Sequence, residues 1–418
     1  MFALVDAVSF YASAEKVFDP TIRKRPVVVL TNNDGCICAV CPIAKKLNIP
    51  KFEPYFKVKA QLDKYNVVVR SSNYELYADL SARMMNEISR FSDNQYIYSI
   101  DESFLNFTGF NHLINDWNEY GHTIRKAVWR KTKIPVGVGF GPTATLAKAA
   151  NHAAKKLPGF DGVAVINNEL SRKRILKLMS VEDVWGVGRR ISKKLKLMDI
   201  HTALDLANQP AKLMRKQFSV VLERTINELN GTPCLSWDDV KQKKKEVYST
   251  RSFGERITDP HSLRAAFAAH CNIVARKLRK QGSLAKRIVI FAHSSPFEDH
   301  YYKRSFIYEF PVASNDVSVF SNAVKHLFLN IYSPNVRFQK CGVGAIELED
   351  EMYRQGDLFN LSQDKPELMK CLDTINQRFG NDTLKLASEK QTSFWRMRRE
   401  FLSPKYTTRW SDIPRIKC

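Results

Sequence analysis

The chain has 418 residues, 44% hydrophobic and 26% charged, a globular profile of about two to four domains that excludes a disordered chain or a fibre. Lys and Arg number 65 against 43 Asp and Glu, a net charge of +22. Such a charge repels itself in a compact fold and is relieved by a polyanion, so nucleic acid is the expected partner. No stretch approaches the ~18 consecutive apolar residues that cross a bilayer, so no membrane role is expected.

Phe2–Val5 reads as a short apolar strand ending on Asp6. Asp6 also breaks the N-terminal apolar run, so Ala12-Ser13-Ala14 is not read as a signal-peptidase site. A basic segment follows, with the apolar run Val27–Leu30, the turn Asn32-Asn33-Asp34-Gly35, a helix-like stretch near Ala39–Leu47 and a strand at Val67–Val69. Cys36, Cys38 and Cys41 cluster there with no fourth Cys or His close in sequence, and are read as buried or half-buried thiols rather than a zinc or iron–sulfur site. The remaining cysteines scatter, as suits a reducing cytoplasm.

Tyr74–Phe91 has Leu76, Leu80, Met84 and Ile88 at helical spacing. Strand Tyr96–Ile100, the acids Asp101-Glu102 at a hairpin tip and strand Ser103–Phe107 come next, then helix Leu113–Lys131, strand Pro135–Phe140, helix Thr143–Lys156 and strand Gly162–Ile166. With roughly 12–73 set aside as an insertion, the order is β-α-β-β-α-β, the ferredoxin-like pattern. Residues 167–235 read as all-helical around Val184-Trp185-Gly186-Val187-Gly188, and Lys241, Lys243, Lys244 and Lys245 as a flexible basic linker. Residues 246–348 repeat the β-α-β-β-α-β order. The last stretch holds one amphipathic helix (Leu368, Leu372, Ile375, Phe379) before Gly380, then a basic tail expected to be peripheral. The fold class is α+β, in several domains.

The first strand and the hairpin are neighbours in such a sheet, so Asp6, Asp101 and Glu102 can meet at its edge. Crowded carboxylates repel, and hard oxygen ligands favour Mg²⁺, two ions of which suit an in-line phosphoryl transfer. Spacing alone leaves open that Asp6 caps a turn and the other two are a solvated tip. Gly137, Gly139 and Gly141 precede a helix carrying Thr145, Lys148 and Lys155; they can admit a phosphate or simply make a turn. Gly186 and Gly188, followed by Arg189, Arg190, Lys193, Lys194 and Lys196, suit backbone contact to a duplex phosphate, as in a helix-hairpin-helix turn. Arg276, Lys277, Arg279, Lys280, Lys286 and Arg287 form a second basic cluster. No GxxxxGK[ST], HExxH or GxSxG motif supports a P-loop ATPase or a nucleophilic hydrolase.

The segments FALVDAVSFYAS, NNDGC, SSNYELYADLS, YSIDES, PTATLAK, VWGVGRRISKKL and YTTRW resemble the UmuC branch of the Y-family translesion DNA polymerases, over essentially the whole chain. The resemblance implies a right-hand polymerase: a ferredoxin-like palm (1–11 and 74–166), small fingers (12–73), a helical thumb with a helix-hairpin-helix turn (167–235), a ferredoxin-like little finger (245–349) and a C-terminal tail (350–418). It implies error-prone, template-directed DNA synthesis past damage in the SOS response, with primer-template DNA and dNTP as substrates and two Mg²⁺ ions as cofactors. By position, Asp6 and Asp101 hold both ions, Glu102 one of them, and the Ala7 carbonyl completes the nucleotide-side metal. Tyr11 is the implied steric gate under the incoming sugar; Phe10 and Tyr11 offer backbone N–H groups, and Lys45 and Lys155 pair with the triphosphate. Pro42 and Lys45 stand where relatives often carry an aromatic and an arginine, and Ala144 where a lysine is common; Lys lacks the two-pronged geometry of Arg. A processed UmuD dimer and RecA are the implied partners. Gln355-Gly356-Asp357-Leu358-Phe359 resembles the pentapeptide that docks on the bacterial sliding clamp, through Gln355, Leu358 and Phe359. The alternatives are a non-catalytic DNA-binding accessory protein on the same scaffold and a nucleotidyl cyclase, the latter disfavoured by the helix-hairpin-helix turn and the basic clusters.

Overall fold

The computed structural model describes residues 1–110, 112–236, 243–357, 359–360, 362–380, 383–389 and 397–414. The chain forms two compact units, Met1–Lys241 with Arg399–Cys418, and Gln242–Arg398.

In the first unit, β1 (Phe2–Ala7) leads into α1 (Phe10–Glu15) through Ser9, whose φ of 50° is left-handed and turns the chain sharply. The inserted segment makes its own three-stranded sheet from β2 (Val27–Leu30), β3 (Ile37–Val40) and, beyond α2 (Pro42–Lys46) and α3 (Tyr55–Lys64), β4 (Val68–Ser71). β2 is its centre, antiparallel to β3 and parallel to β4. The expected helix over Ala39–Leu47 is therefore strand to Val40 and helix only from Pro42: proline is preorganised for a first helical position, and the Cys41 sulfur accepts the Ala44 N–H as its cap (3.5 Å). α3 was not anticipated.

The chain then returns through α4 (Tyr74–Ile88), β5 (Asn94–Ile97), β6 (Glu102–Asn106), α5 (Trp117–Thr132), β7 (Val136–Gly141), α6 (Ala144–Lys156) and β8 (Val163–Val165). The sheet order is β5-β6-β1-β7-β8, the expected ferredoxin-like arrangement with β8 added in parallel beside β7. Asn73, Asp116 and Thr143 cap α4, α5 and α6 through their side chains. Ala3, Val5, Leu105, Phe107, Val138 and Phe140 pack with α4 and α5, whereas Leu4 and Phe104 pack with Ala144 and Ala147 of α6. Five short helices follow, α7 (Glu169–Leu178), α8 (Arg189–Lys196), α9 (Ala203–Ala207), α10 (Ala211–Gln217) and α11 (Val220–Leu229), sharing a core with the outer face of α6.

The second unit runs β9 (Val247–Ile257), α12 (Pro260–Gln281), β10 (Ser283–His293), β11 (Lys303–Ser314), α13 (Val317–Ile331) and β12 (Phe338–Asp350), then α14 (Pro366–Phe379). The succession of elements is the expected one, but the antiparallel sheet is ordered β11-β10-β12-β9. Its central strands are β10 and β12, the second and fourth of the β-α-β-β-α-β succession, whereas in the corresponding part of the first sheet, β5-β6-β1-β7, they are β1 and β6, the first and third of that succession. Same order, different wiring.

Three further expectations are corrected. Within the basic joint, Lys243 pairs with Asp350 (2.5 Å), and Lys244 and the Gln281 side chain exchange two hydrogen bonds (3.2 and 2.9 Å), so these lysines are docked rather than loose; Lys241 lies outside the described residues. On α14 the buried side chains are Met369, Leu372 and Asn376, while Leu368 and Phe379 face solvent. The tail beyond Arg398 is not peripheral. Phe401 and Tyr406 pack against the core of the first unit.

Candidate active site

β1 lies between β6 and β7, and the register sets Asp6 opposite Glu102 on one side and Gly137 on the other. Glu102 is thus the first residue of a strand, not a solvated tip. The turn is at 98–101, because the Ser99 hydroxyl accepts the N–H groups of Asp101 (3.2 Å) and Glu102 (3.1 Å) while donating to the Asp101 carboxylate (2.6 Å). The Ala7 N–H donates to the Asp101 carbonyl (2.9 Å), which fixes the turn against the end of β1.

Two lysines of α6, seven residues apart, reach these acids. Lys155 Nζ lies 2.5 Å from Asp6 Oδ2 and 3.4 Å from the Ala7 carbonyl. Lys148 Nζ lies 3.0 Å from Glu102 Oε2 and over the rings of Tyr98 (4.5 Å) and Trp185 (4.9 Å). Burial pushes the Asp6 carboxyl up to about 6, against the pull of Lys155 and with the added repulsion of Glu102 and Asp101. Each acid has its own partner, so among the described residues no three acidic, His or Cys side chains converge at metal-ligating spacing. The donor set nonetheless fits a hard divalent cation, since all three acids are oxygen ligands and ammonium groups occupy two of them as a cation would.

The glycines before α6 have a different use from the one their spacing suggested. They are strand residues under the helix, not a phosphate loop. A Cβ at Gly139 would stand 2.0 Å from the Asn151 nitrogen, one at Gly141 2.6 Å from that of Ala147, and one at Gly137 2.7 Å from Lys155 Cγ. The bare backbone lets α6 settle onto β7, where the buried Asn151 amide donates to the carbonyls of Gly137 (2.8 Å) and Leu4 (3.1 Å). That close approach brings Lys155 to Asp6. The helix N-terminus is likewise occupied from within: Glu228 of α11 accepts the Thr145 N–H (3.0 Å), and its carbonyl accepts the Thr143 hydroxyl (2.8 Å).

Phe10 and Tyr11 open α1. The Tyr11 ring stacks on Tyr77 (4.6 Å, 19°) and meets Tyr74 edge-on (6.2 Å), both on α4. The Tyr77 hydroxyl donates to the buried Glu15 (2.6 Å), at the other end of α1. Lys45 lies on α2; partial burial and the nearby cations Lys51, Lys155 and Lys156 lower its pKa. Cys41 is buried and Cys36 and Cys38 are half-buried, and none of the three is in a disulfide.

Gly186 has a φ of 90°, Val187 is buried, and Gly188 is the N-cap residue before α8, with Arg189, Arg190, Lys193 and Lys194 exposed along the helix. Lys196 is paired with Glu182 (2.7 Å). The second basic cluster is largely spent internally. Arg279 holds Asp373 through two hydrogen bonds (2.6 and 2.7 Å), Arg287 pairs with Glu309 and Glu347, and Lys286 and Lys277 donate to backbone carbonyls. In the pentapeptide, Phe359 is 93% exposed and Asp357 accepts its N–H (2.8 Å); Gln355 is exposed and Leu358 lies outside the described residues.

Sequence reasoning missed the roles of Ser99, Asn151 and Glu228. Only Asn151 carried a signal, as a polar residue on the alanine face of α6.

A Y-family DNA polymerase chimera matches with a TM-score of 0.66, over 84% of this chain and 100% of its own, at 20% identity. An insertion ternary complex of the Dbh DNA polymerase gives 0.56, over 84% and 100%, at 19%. The fold is that of the Y-family DNA polymerases. Residues 5–152 match the impB/mucB/samB family, 244–358 its C-terminal domain, and 366–416 a domain of unknown function (DUF4113). Protein UmuC of Salmonella typhimurium is 44% identical over all of both chains. Protein ImpB of Salmonella typhimurium is 39% identical over 99% of each, and DNA polymerase IV 2 of Bacillus subtilis 25% identical over 91% of this chain and 92% of its own. The chain belongs to the impB/mucB/samB family, in the UmuC branch of the Y-family, and is a template-directed DNA polymerase of translesion synthesis in the SOS response. Polymerases of this family are metal-dependent, with DNA and dNTP as substrates. No described helix is long and apolar enough to cross a membrane.

Proposed function

We propose that residues 1–11 and 74–166 act as palm, 12–73 as fingers, 167–235 as thumb, 245–349 as little finger and 350–418 as a tail carrying a clamp-binding peptide. In the palm, Asp6, Asp101, Glu102 and the Ala7 carbonyl would hold two Mg²⁺ ions, at the place where dNMP is joined to a primer 3′-OH. The observation that carries this assignment is the pairing of Asp6 with Glu102 across β1 and β6, beside Asp101, with lysine ammonium groups seated on two of the three acids. When bound, the ions stabilise charge on the attacking and leaving oxygens.

The other tasks fall to the chain itself. Lys155 exchanges Asp6 for the triphosphate, joined by Lys45 and by the N–H groups of Phe10 and Tyr11, which as first residues of α1 have no intrahelical acceptor. Tyr11, backed by Tyr77, excludes a 2′-hydroxyl by contact. Gly186, Gly188, Arg189 and Arg190 hold the duplex backbone without reading bases. Gln355, Leu358 and Phe359 dock on the sliding clamp, and likeness to UmuC supports work in the cytoplasm with a processed UmuD dimer and RecA.

Primer extension tests the site. Asp6→Ala, Asp101→Ala and Glu102→Ala should each abolish Mg²⁺-dependent nucleotide addition and leave DNA binding, measured by anisotropy, largely intact. Near-normal extension by Asp101→Ala would overturn the assignment.

A further inference from the structure

The chain leaves the first unit at Lys241 and comes back to it at Arg399. The returning residues, 399–406, make directional contacts rather than a loose coat. Phe401 and Ser71, the last residue of β4, exchange two hydrogen bonds: Ser71 N–H to the Phe401 carbonyl and Phe401 N–H to the Ser71 hydroxyl, both 3.0 Å. The Ser71 hydroxyl in turn donates to the buried Asp34 carboxylate (2.6 Å), which also accepts the Glu400 N–H (2.8 Å). Phe401 meets Tyr55 edge-on at 5.6 Å, and Tyr406 stacks on Phe18 at 5.1 Å.

The next contact bears on chemistry. The Asn73 amide donates to the hydroxyl of Ser403 (3.0 Å), a residue only 4% exposed, while the Asn73 carbonyl oxygen caps α4 at Leu76. Arg399 adds an ion pair to Glu75 in the first turn of the same helix (3.5 Å). α4 carries Tyr74 and Tyr77, the two rings against which Tyr11 rests. Tyr77 is anchored through Glu15, whose pKa burial raises and the hydroxyls of Tyr77 and Ser403 pull back down. Ser403 therefore bears on one support of the Tyr11 wall, the cap of α4.

We propose that the returning C-terminal segment, through Ser403, is a positioning element for sugar selection, holding the start of α4 so that Tyr74 and Tyr77 keep the Tyr11 ring in place. This gives the end of the segment matched by a domain of unknown function a task in the first unit. It rests on Tyr11 being the steric gate. Ser403 does not touch substrate; it acts through Asn73.

The test uses the full chain and reads kcat/KM for a ribonucleotide relative to the matching deoxynucleotide. Ser403→Ala should raise that ratio about five-fold, the worth of roughly one lost buried hydrogen bond, with the deoxynucleotide value little changed. Ser403→Thr, which keeps the hydroxyl, should restore the ratio. In a Tyr11→Ala background the same substitution should have no further effect, because neighbours that act through one group are not additive. If Tyr11→Ala raises the ratio and Ser403→Ala does not, or lowers both nucleotides equally, the positioning role is overturned and the gate stands. If Tyr11→Ala leaves the ratio unchanged, the gate itself fails and the proposal with it. Should thermal unfolding show that the alanine variant has lost its fold, Ser403→Cys supplies the same comparison at nearly equal volume.

Discussion

Adding one methyl group at either of two neighbouring glycines should give opposite phenotypes. At Gly139 the new Cβ would sit 2.0 Å from the Asn151 nitrogen, 2.5 Å from the Ala147 carbonyl oxygen and 2.6 Å from the Asn151 Cα, all main-chain atoms of α6. Main chain within a helix cannot swing aside, so α6 must back off by more than an ångström. That movement breaks both hydrogen bonds of the buried Asn151 amide, to Gly137 and Leu4. Overpacking costs ~1–3 kcal/mol and an orphaned buried amide a further ~1–3, so Gly139→Ala should destabilise by about 2–6 kcal/mol. At Gly137 the Cβ crowds Lys155 Cγ (2.7 Å) and Cδ (3.0 Å), the flexible stem of a side chain, and stands at an ordinary contact distance of 3.6 Å from Asn151 Nδ2. Gly137→Ala should therefore cost about 1 kcal/mol or less in stability while pushing Lys155 off Asp6, and so lower kcat/KM for dNTP incorporation. Urea unfolding and single-nucleotide incorporation, run on both variants, separate the two effects. A Gly139→Ala protein as stable as the parent would refute the close-packing account of this glycine stretch.

The Asp6 carboxyl of the metal-free chain should titrate near 6, against roughly 4 for an unfolded aspartate. Because the folded value is the higher one, its contribution to stability is complete below about pH 4 and is lost as pH rises through about 6; a midpoint near 4 in carboxyl NMR would contradict the buried, crowded site. Arg189→Ala and Arg190→Ala should each lower the slope of log affinity against log salt by about one, the signature of one lost phosphate contact. An unchanged slope, measured by anisotropy on primer-template DNA, would count against the thumb turn as a backbone clamp. Changing Leu358 and Phe359 together to Ala should reduce synthesis on clamp-loaded primed DNA yet spare the clamp-free reaction, and equal loss in both assays would mark a structural role instead.

Much of the molecule follows from local pattern. An unbroken apolar run marks β1 and a hydrophobic spacing of near four residues marks α4, and the placement of Asp6, Asp101 and Glu102 around strand ends already points to one acidic edge. Such a pattern says which face of an element is covered, but not what covers it. The glycines of β7 look like a loop in one dimension and prove to be the floor under a helix. Arg279 and Arg287 look free for DNA until Asp373, Glu309 and Glu347, far along the chain, are folded beside them. The tail looks peripheral until Ser403 meets Asn73. Composition and periodicity act over a turn or a strand, so they determined the elements and the acids. Pairings between groups hundreds of residues apart depend on how those elements pack, and only the tertiary structure decided which charges stay available and which side chains hold the active site in place.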